Sequence, residues 1–221
     1  MTGFTNEDGR FYYEADGVAA SCTGVDVSEN QGWIDWEAVS EDGIEFAMVR
    51  AGYRGTTEGG LFVDELYEYN LSAAHEAGID CGVYFFSQAI TEEEAREEAE
   101  YVLSLLDGVY LEYPVAFDYE QNAAGIESRI AGISPEEATR IAQAFCSVIE
   151  EGGYDAMVYG NAYDLDYFDM DALSEYSLWY AEYGTPPASR RPFMLWQYSN
   201  EGWVYGIDTA VDLNLDMSSA L

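Results

Sequence analysis

The sequence predicts an α/β barrel of eight strands in a single domain. Three observations predict it. Eight short β-rich runs recur along the chain, helical patterns fill the connections mainly in the first half, and polar or aromatic residues gather at the carboxyl ends of the runs. At 221 residues the chain can bury a large core, and αβ barrels of this length are ordinary. An apolar content of 48%, with 15% aromatic, is that of a globular chain rather than a disordered one.

Residues 1 to about 21 are polar and glycine-dotted, with Phe11, Tyr12 and Tyr13 among them. They read as a short N-terminal extension, which leaves 22–221 for the barrel. The β-like runs are 23–27, 46–52, 82–87, 115–120, 156–159, 177–181, 194–198 and 210–213. Apolar positions recur at helical spacing between 62 and 77. Thr91 with Glu94 three residues on forms a capping-box signal, and Glu92 and Glu93 suit the positive end of the helix dipole. Ser134-Pro135-Glu136-Glu137 repeats that logic with proline at the first helical position, and Gly152-Gly153 should end that helix. From residue 182 onward the connections are too short for full helices. The pattern is therefore a barrel of parallel strands with helices in its first half and loops in its second.

The charge balance excludes several partners. Eight basic residues, all arginine, stand against 43 acidic ones, for a net charge of −35. Such a field repels nucleic acid and acidic membrane surfaces. The acidity fits solubility in an acidic or salty milieu, and no loop has the spacing of a calcium-binding motif. Cys22, Cys81 and Cys146 lack paired spacing, which argues against a zinc site or a disulfide framework and leaves one disulfide open. Neither a bilayer-spanning stretch nor a signal peptide is visible. No cofactor or metal is expected. His75, the single histidine, falls in a helical pattern far from the strand ends, as a surface or packing residue.

The most informative stretch is Pro114-Val115-Ala116-Phe117-Asp118-Tyr119-Glu120. An apolar run ends in two carboxylates one residue apart, so both side chains face one way with Cα atoms roughly 7 Å apart. Burying two carboxylates side by side is unfavourable, and one pKa must rise. Glycoside cleavage needs such a pair, with one proton held and one charge kept. Other strand ends add Asp26 on the first run and Asp212, with Asn214, on the eighth. Tyr84 and Phe86 share a face of the third, Tyr159 ends the fifth, Trp179 lies in the sixth and Gln197 closes the seventh. In αβ barrels chemistry sits at this end. Together these residues form an acidic cleft lined with rings, where sugars stack on aromatics and bond to carboxylates and amides. Taken singly, the aromatics read more often as core than as sugar platforms, Asp118 with Glu120 as a solvated strand end, Asp26 as a cap, and Asp212 with Asn214 as turn formers.

The blocks GVDVSENQGWIDWEAV, FAMVRAGYR, CGVYFFSQAI, PVAFDYE, MVYGN, LWYAEY, MLWQYS and AVDLN resemble the family 25 glycoside hydrolases, the N-acetylmuramidase type of lysozyme, from about residue 23 to 214. The resemblance implies an irregular TIM-like barrel with fewer helices, cleavage of the β-1,4 bond after N-acetylmuramic acid in peptidoglycan, and no metal. Its carboxylates fall on Asp26, Asp118, Glu120 and Asp212. Glu120 is the expected general acid, since its longer side chain reaches the glycosidic oxygen. Two roles stay open for an ionised Asp118. It is either a covalent nucleophile, with carboxyl groups about 5–5.5 Å apart, or the group that orients the substrate's own N-acetyl oxygen as it attacks. An acid-x-acid pair approaching from one side favours the second. Asp26 and Asp212 read as supports. Arg50 either offsets part of this charge or makes a structural ion pair. The rival readings are a glycosidase on another N-acetylated polymer such as chitin, and a wall-binding barrel without catalysis. The expected partner is the peptidoglycan glycan strand, met by a monomer that is secreted or held in the cell envelope.

Overall fold

The computed structural model of the chain describes residues 2–121, 128–189 and 191–220. Its elements in order are β1 (Gly3–Glu7), β2 (Arg10–Ala15), β3 (Val18–Ala19), β4 (Cys22–Val27), α1 (Trp36–Glu41), β5 (Phe46–Arg54), β6 (Leu61–Val63), α2 (Tyr67–Glu76), β7 (Asp80–Phe86), α3 (Glu92–Leu106), β8 (Val115–Asp118), α4 (Pro135–Glu151), β9 (Ala156–Asn161), α5 (Ala162–Leu165), β10 (Ser177–Ala181), β11 (Leu195–Gly202) and β12 (Val211–Asp216). Strands β4, β12, β11, β10, β9, β8, β7 and β5 pair in that order, and pairing of β4 with β5 closes them into an eight-stranded barrel. β6 adds antiparallel to the upper end of β5. It takes Leu61–Val63 away from the helix expected over 62–77, which begins only at Tyr67.

The barrel is not wholly parallel. β12 runs antiparallel to both β11 and β4. The short 203–210 connection explains this, because a parallel return needs a crossover of about a dozen residues or more. The reversal puts the start of β12 at the rim where the other strands end. Asp212 thus pairs in register with Asp26.

Alternation along the strands divides the core in two. Phe46, Met48, Ala116, Met157, Tyr159, Trp179, Ala181 and Leu195 fill the barrel. Their neighbours in sequence pack outward against the helices. The interior is tight at its base, where Phe46 stacks on Tyr113 at 4.6 Å. Gly24 is required beside it, since a Cβ there would lie 2.4 Å from the Phe46 ring. The helix termini follow their signals. Ser134 and Glu137 complete a reciprocal capping box, and the helix ends at Gly152. Thr91 accepts from the Glu94 N–H, but the Glu94 carboxylate turns to the Ile90 N–H and to Arg129.

The first 21 residues are more ordered than an extension. β1, β2 and β3 form an antiparallel meander joined by Asp8-Gly9 and Asp16-Gly17. All four of these residues have positive φ, as type I′ turns demand. Phe4 and Phe11 pack on Trp196 at 5.1 and 5.0 Å, and Phe11 meets Tyr198 at 5.3 Å. Trp196 and Tyr198 face outward on β11, on the side of the barrel where short connections supply no helix. The small sheet covers this face in place of one. Arg10 ties it to the end of α1 through an ion pair with Asp42 and a 2.7 Å bond to the Asp42 carbonyl.

A buried ion pair secures one of the upper connections. Arg54 donates to Glu98 at 2.7 Å, and Ser87 donates to the second oxygen of the same carboxylate at 2.5 Å. The three cysteines are unpaired. Among the described residues, no helix is long and apolar enough to cross a membrane.

Candidate active site

Three strands bring four acids to one rim of the barrel. β8 supplies Asp118, and its ladder stops there, two residues short of the expected end. The alternation nevertheless continues. Tyr119 turns away to donate to the Ala89 carbonyl at 3.1 Å, and Glu120 returns to the side of Asp118. β4 supplies Asp26 and β12 supplies Asp212. Together with Tyr84, Tyr159, Trp179 and Gln197, these four acids line a pocket of about 100 Å³. Eight of the nine side chains picked out from the sequence thus meet in one place. Phe86 does not line the pocket. It is the register neighbour of Asp118 on β7 and sits partly exposed above it.

The acids form two pairs. Burial, followed by the charges of Glu120, Asp26 and Asp164, pushes Asp118 well above the usual carboxylate range. Burial and Asp164 push Glu120 up to about 7, with the bond from Asp118 pulling it back. One proton is therefore held between the two, and the pair titrates as a unit. Its location differs from the expectation of a plainly ionised Asp118. Asp118 is the deeper group, and its Oδ1 is buried without a hydrogen-bond partner among the described residues. In the second pair burial raises Asp26, while bonds from Asn214, Gln197 and Asp212 hold it down. Burial and the neighbouring Asp26 push Asp212 up to about 9. Asp212 thus keeps its proton and donates it to an ionised Asp26.

A chain of oriented amides fixes Asp26. Gln197 Nε2 and Asn214 Nδ2 each donate to Asp26 Oδ2 at 2.8 Å. The amides are themselves held the right way round. Tyr159 and Tyr183 donate to Gln197 Oε1 at 2.8 and 2.9 Å, and Trp179 Nε1 donates to Asn214 Oδ1 at 2.8 Å. An acceptor oxygen already engaged leaves only the NH₂ for the carboxylate. Trp179 is 1% exposed and Tyr159 8%, with their rings edge-to-face at 4.7 Å. Their polar atoms orient the amides, and little ring face is left open for stacking. Tyr183, 47% exposed, presents an open ring beside the pocket.

Arg50 bonds Asp64 at 2.8 Å and Glu29 at 3.1 Å, and its charge still reaches Tyr84. It therefore serves as an ion pair and as a partial counter-charge. His75 bonds Glu112 at 3.1 Å, on the helical side of the barrel. Among the described residues, no group of histidine, cysteine or acidic side chains is arranged to hold a metal ion.

Two residues escaped the sequence reading. Tyr183 follows β10 in a loop; it closes the LWYAEY block, but no periodic signal gives it a place in the site. Asp164 lies on the one-turn α5 and reads as an ordinary solvated helix acid, yet it is buried against Glu120.

The comparisons with known proteins agree with this fold. The autolytic lysozyme of Clostridium acetobutylicum is 29% identical over 194 residues, covering 86% of this chain and 54% of that protein. Lysozyme M1 of Streptomyces globisporus is 29% identical over 210 residues, covering 89% of this chain and 68% of the relative. The modular autolysin LytC of Streptococcus pneumoniae superposes with a TM-score of 0.80 at 23% identity, over 97% of this chain and 52% of LytC. A structure of LytC with a synthetic peptidoglycan ligand gives the same score at 22% identity. The chain thus spans about half the length of the Clostridium lysozyme and of LytC. Residues 25–207, from the strand bearing Asp26 to the approach to β12, match the glycosyl hydrolases family 25, and with the closed barrel and its rim of paired acids this establishes that the chain belongs to that family.

Proposed function

We propose that this chain cleaves the β-1,4 bond after N-acetylmuramic acid in peptidoglycan, with Glu120 as general acid. The observation that carries the reading is the Asp118–Glu120 pair, buried together and holding one proton beside a pocket open to the rim. A group raised to about 7 keeps its proton in mildly acidic water and can still release it, as a general acid must. Lysozyme and autolysin relatives, and the peptidoglycan-bound LytC, support the choice of polymer.

The proposed first step is substrate-assisted. The acetamido oxygen at C2 attacks C1 while Glu120 gives its proton to the departing glycosidic oxygen. The C1–O bond breaks and a cyclic intermediate forms. The step requires the shared proton to pass from Asp118 to Glu120 as substrate binds; Asp118 Oδ1, buried and without a protein partner among the described residues, is then placed to accept the acetamido N–H and to stabilise the positive charge that develops there. The now ionised Glu120 then takes a proton from the water that opens the ring. Both carboxyls leave one strand end and approach from one side, which suits this route better than a nucleophile facing the acid across the bond. Asp26, fixed by Gln197, Asn214 and Asp212, keeps one negative charge beside the pair, so the proton is not lost from it. The chain would act where peptidoglycan lies, in the cell envelope or outside the cell.

Purified peptidoglycan digested with the protein should release fragments with muramic acid at the reducing end, read by mass spectrometry. Glu120→Gln keeps the shape and loses the transferable proton. It should abolish turnover by at least about 10²-fold with an unchanged thermal melt. Glucosamine at the reducing end, or an active Glu120→Gln protein, overturns the proposal.

A further inference from the structure

A buried acid outside the four carboxylates bears directly on Glu120. Asp164 is 2% exposed. Its Oδ1 accepts the backbone N–H of Gln121 at 3.1 Å, one residue beyond Glu120, and its Oδ2 accepts from Asn161 Nδ2. Asn161 cannot turn its amide over, because its own Oδ1 caps the N–H groups of Tyr163 and Asp164 at 2.8 and 3.2 Å. The sequence Asn161-Ala162-Tyr163-Asp164 is therefore a clip. It grips the chain just past the point where the β8 ladder stops at Asp118.

We infer that Asp164 is a positioning residue for the reaction proposed above: by holding the Gln121 peptide it keeps the Glu120 carboxyl against Asp118 and fixes an anion behind it. The inference rests on that reading of Glu120. Glu120 lies past the last paired residue of its strand, held before it by the buried Tyr119 and after it by the clip on Gln121, and a displacement of about 1 Å at a reacting group costs on the order of 10²-fold in rate. The groups facing Glu120 are Asp118 on its own strand, Asp26 from β4, Asp212 from β12, Tyr159 from β9, Tyr183 beyond β10, and Asp164. All are acids or phenols, and the charge of Asp164 adds to the pressure that retains the proton.

The test compares Asp164→Ala with the exchanged pair Asn161→Asp plus Asp164→Asn. The exchange can keep every bond of the clip while moving the charge to the far side of it. Soluble glycan chains give kcat and KM separately across pH, and thermal melts report folding. Asp164→Ala is expected to lower kcat by about 10- to 100-fold with KM within about threefold, and to move the alkaline limb of the profile to lower pH. The exchanged pair should hold kcat within about threefold of the parent, again with the alkaline limb at lower pH. Unchanged kcat and profile in Asp164→Ala overturn the inference. So does an exchanged pair that melts like the parent yet loses as much activity as Asp164→Ala. If Asp164→Ala does not fold, the exchanged pair decides alone, and an unmoved limb or a lost kcat counts against the inference. A parent protein that releases no muramic reducing ends refutes the proposed reaction instead. In that case a ¹³C carboxyl titration of Glu120 in the ligand-free parent and exchanged protein still tests Asp164, which requires the Glu120 transition to fall to lower pH.

Discussion

Replacing Phe11 by alanine tests whether the N-terminal meander is part of the barrel's fabric. Phe11 is 8% exposed and lies between Trp196 and Tyr198 at 5.0 and 5.3 Å. Removing a buried phenylalanine costs about 3–5 kcal/mol. The small sheet lies at the periphery and can settle partly into the space, so the low end, about 3 kcal/mol, applies. A protein of this size loses about 2–4 °C of melting temperature per kcal/mol. The expected fall is thus roughly 6–12 °C, read by calorimetry or circular dichroism at constant pH. Trp196 and Tyr198 should become exposed together with the loss of Phe11, so the near-ultraviolet signal of the folded variant should change as well. A fall below about 2 °C would show that the meander merely rests on the barrel, and the covering role would be wrong.

Asp118→Asn should reduce turnover less than Glu120→Gln does, since an amide still occupies the site but orients the acetamido group poorly; full activity would remove Asp118 from the mechanism. Stability should fall as pH rises. Glu120 and Asp212 move from ordinary values of 4.5 and 3.8 to about 7 and about 9 in the folded state. The folded protein therefore holds these protons more tightly, and the stabilisation is complete below about pH 4 and lost progressively up to about 7 and about 9. Melts at high salt, which screens the net charge of −35, should show the decline, with Asp212→Asn flattening its upper part; a melting temperature that climbs across this range would contradict the two protonated pairs. Trp179→Phe should cost about 1–3 kcal/mol by leaving Asn214 Oδ1 unpaired, and should reduce activity with little change in KM; an unaffected enzyme would show that the amide chain behind Asp26 is not needed.

Much of this site was legible because strand alternation is a hard geometric constraint. Asp118 and Glu120 had to share a side wherever the strand ended, and Asp26, Gln197 and Asp212 each stood where an inward-facing rim residue must stand. The capping signals at Thr91 and Ser134 were equally direct, because backbone N–H groups at a helix start need acceptors. Strand direction was not read, although the evidence was present. A connection as short as 203–210 cannot carry a chain back for parallel pairing, which makes Asp212 the beginning of its strand rather than its end. The meander is likewise announced by two Asp-Gly pairs flanking Phe11, Tyr12 and Tyr13, a strong hairpin signal masked by the overall polarity of the segment. Asp164 and Tyr183 are different. Their roles depend on which loops meet in space, and no local pattern encodes that.

The reversed final strand also has a temporal consequence. Asp26 lies on the first strand of the barrel and Asp212 and Asn214 on the last, yet a single hydrogen-bonded cluster spans them. A nascent chain can form most of its helices and every earlier strand without creating that cluster. The proposed cleavage should therefore be absent until synthesis has passed Asp216 and the seam has zipped, a slow event because the partners are so distant along the polypeptide. Any truncation ahead of this point would leave a harmless, unsealed sheet.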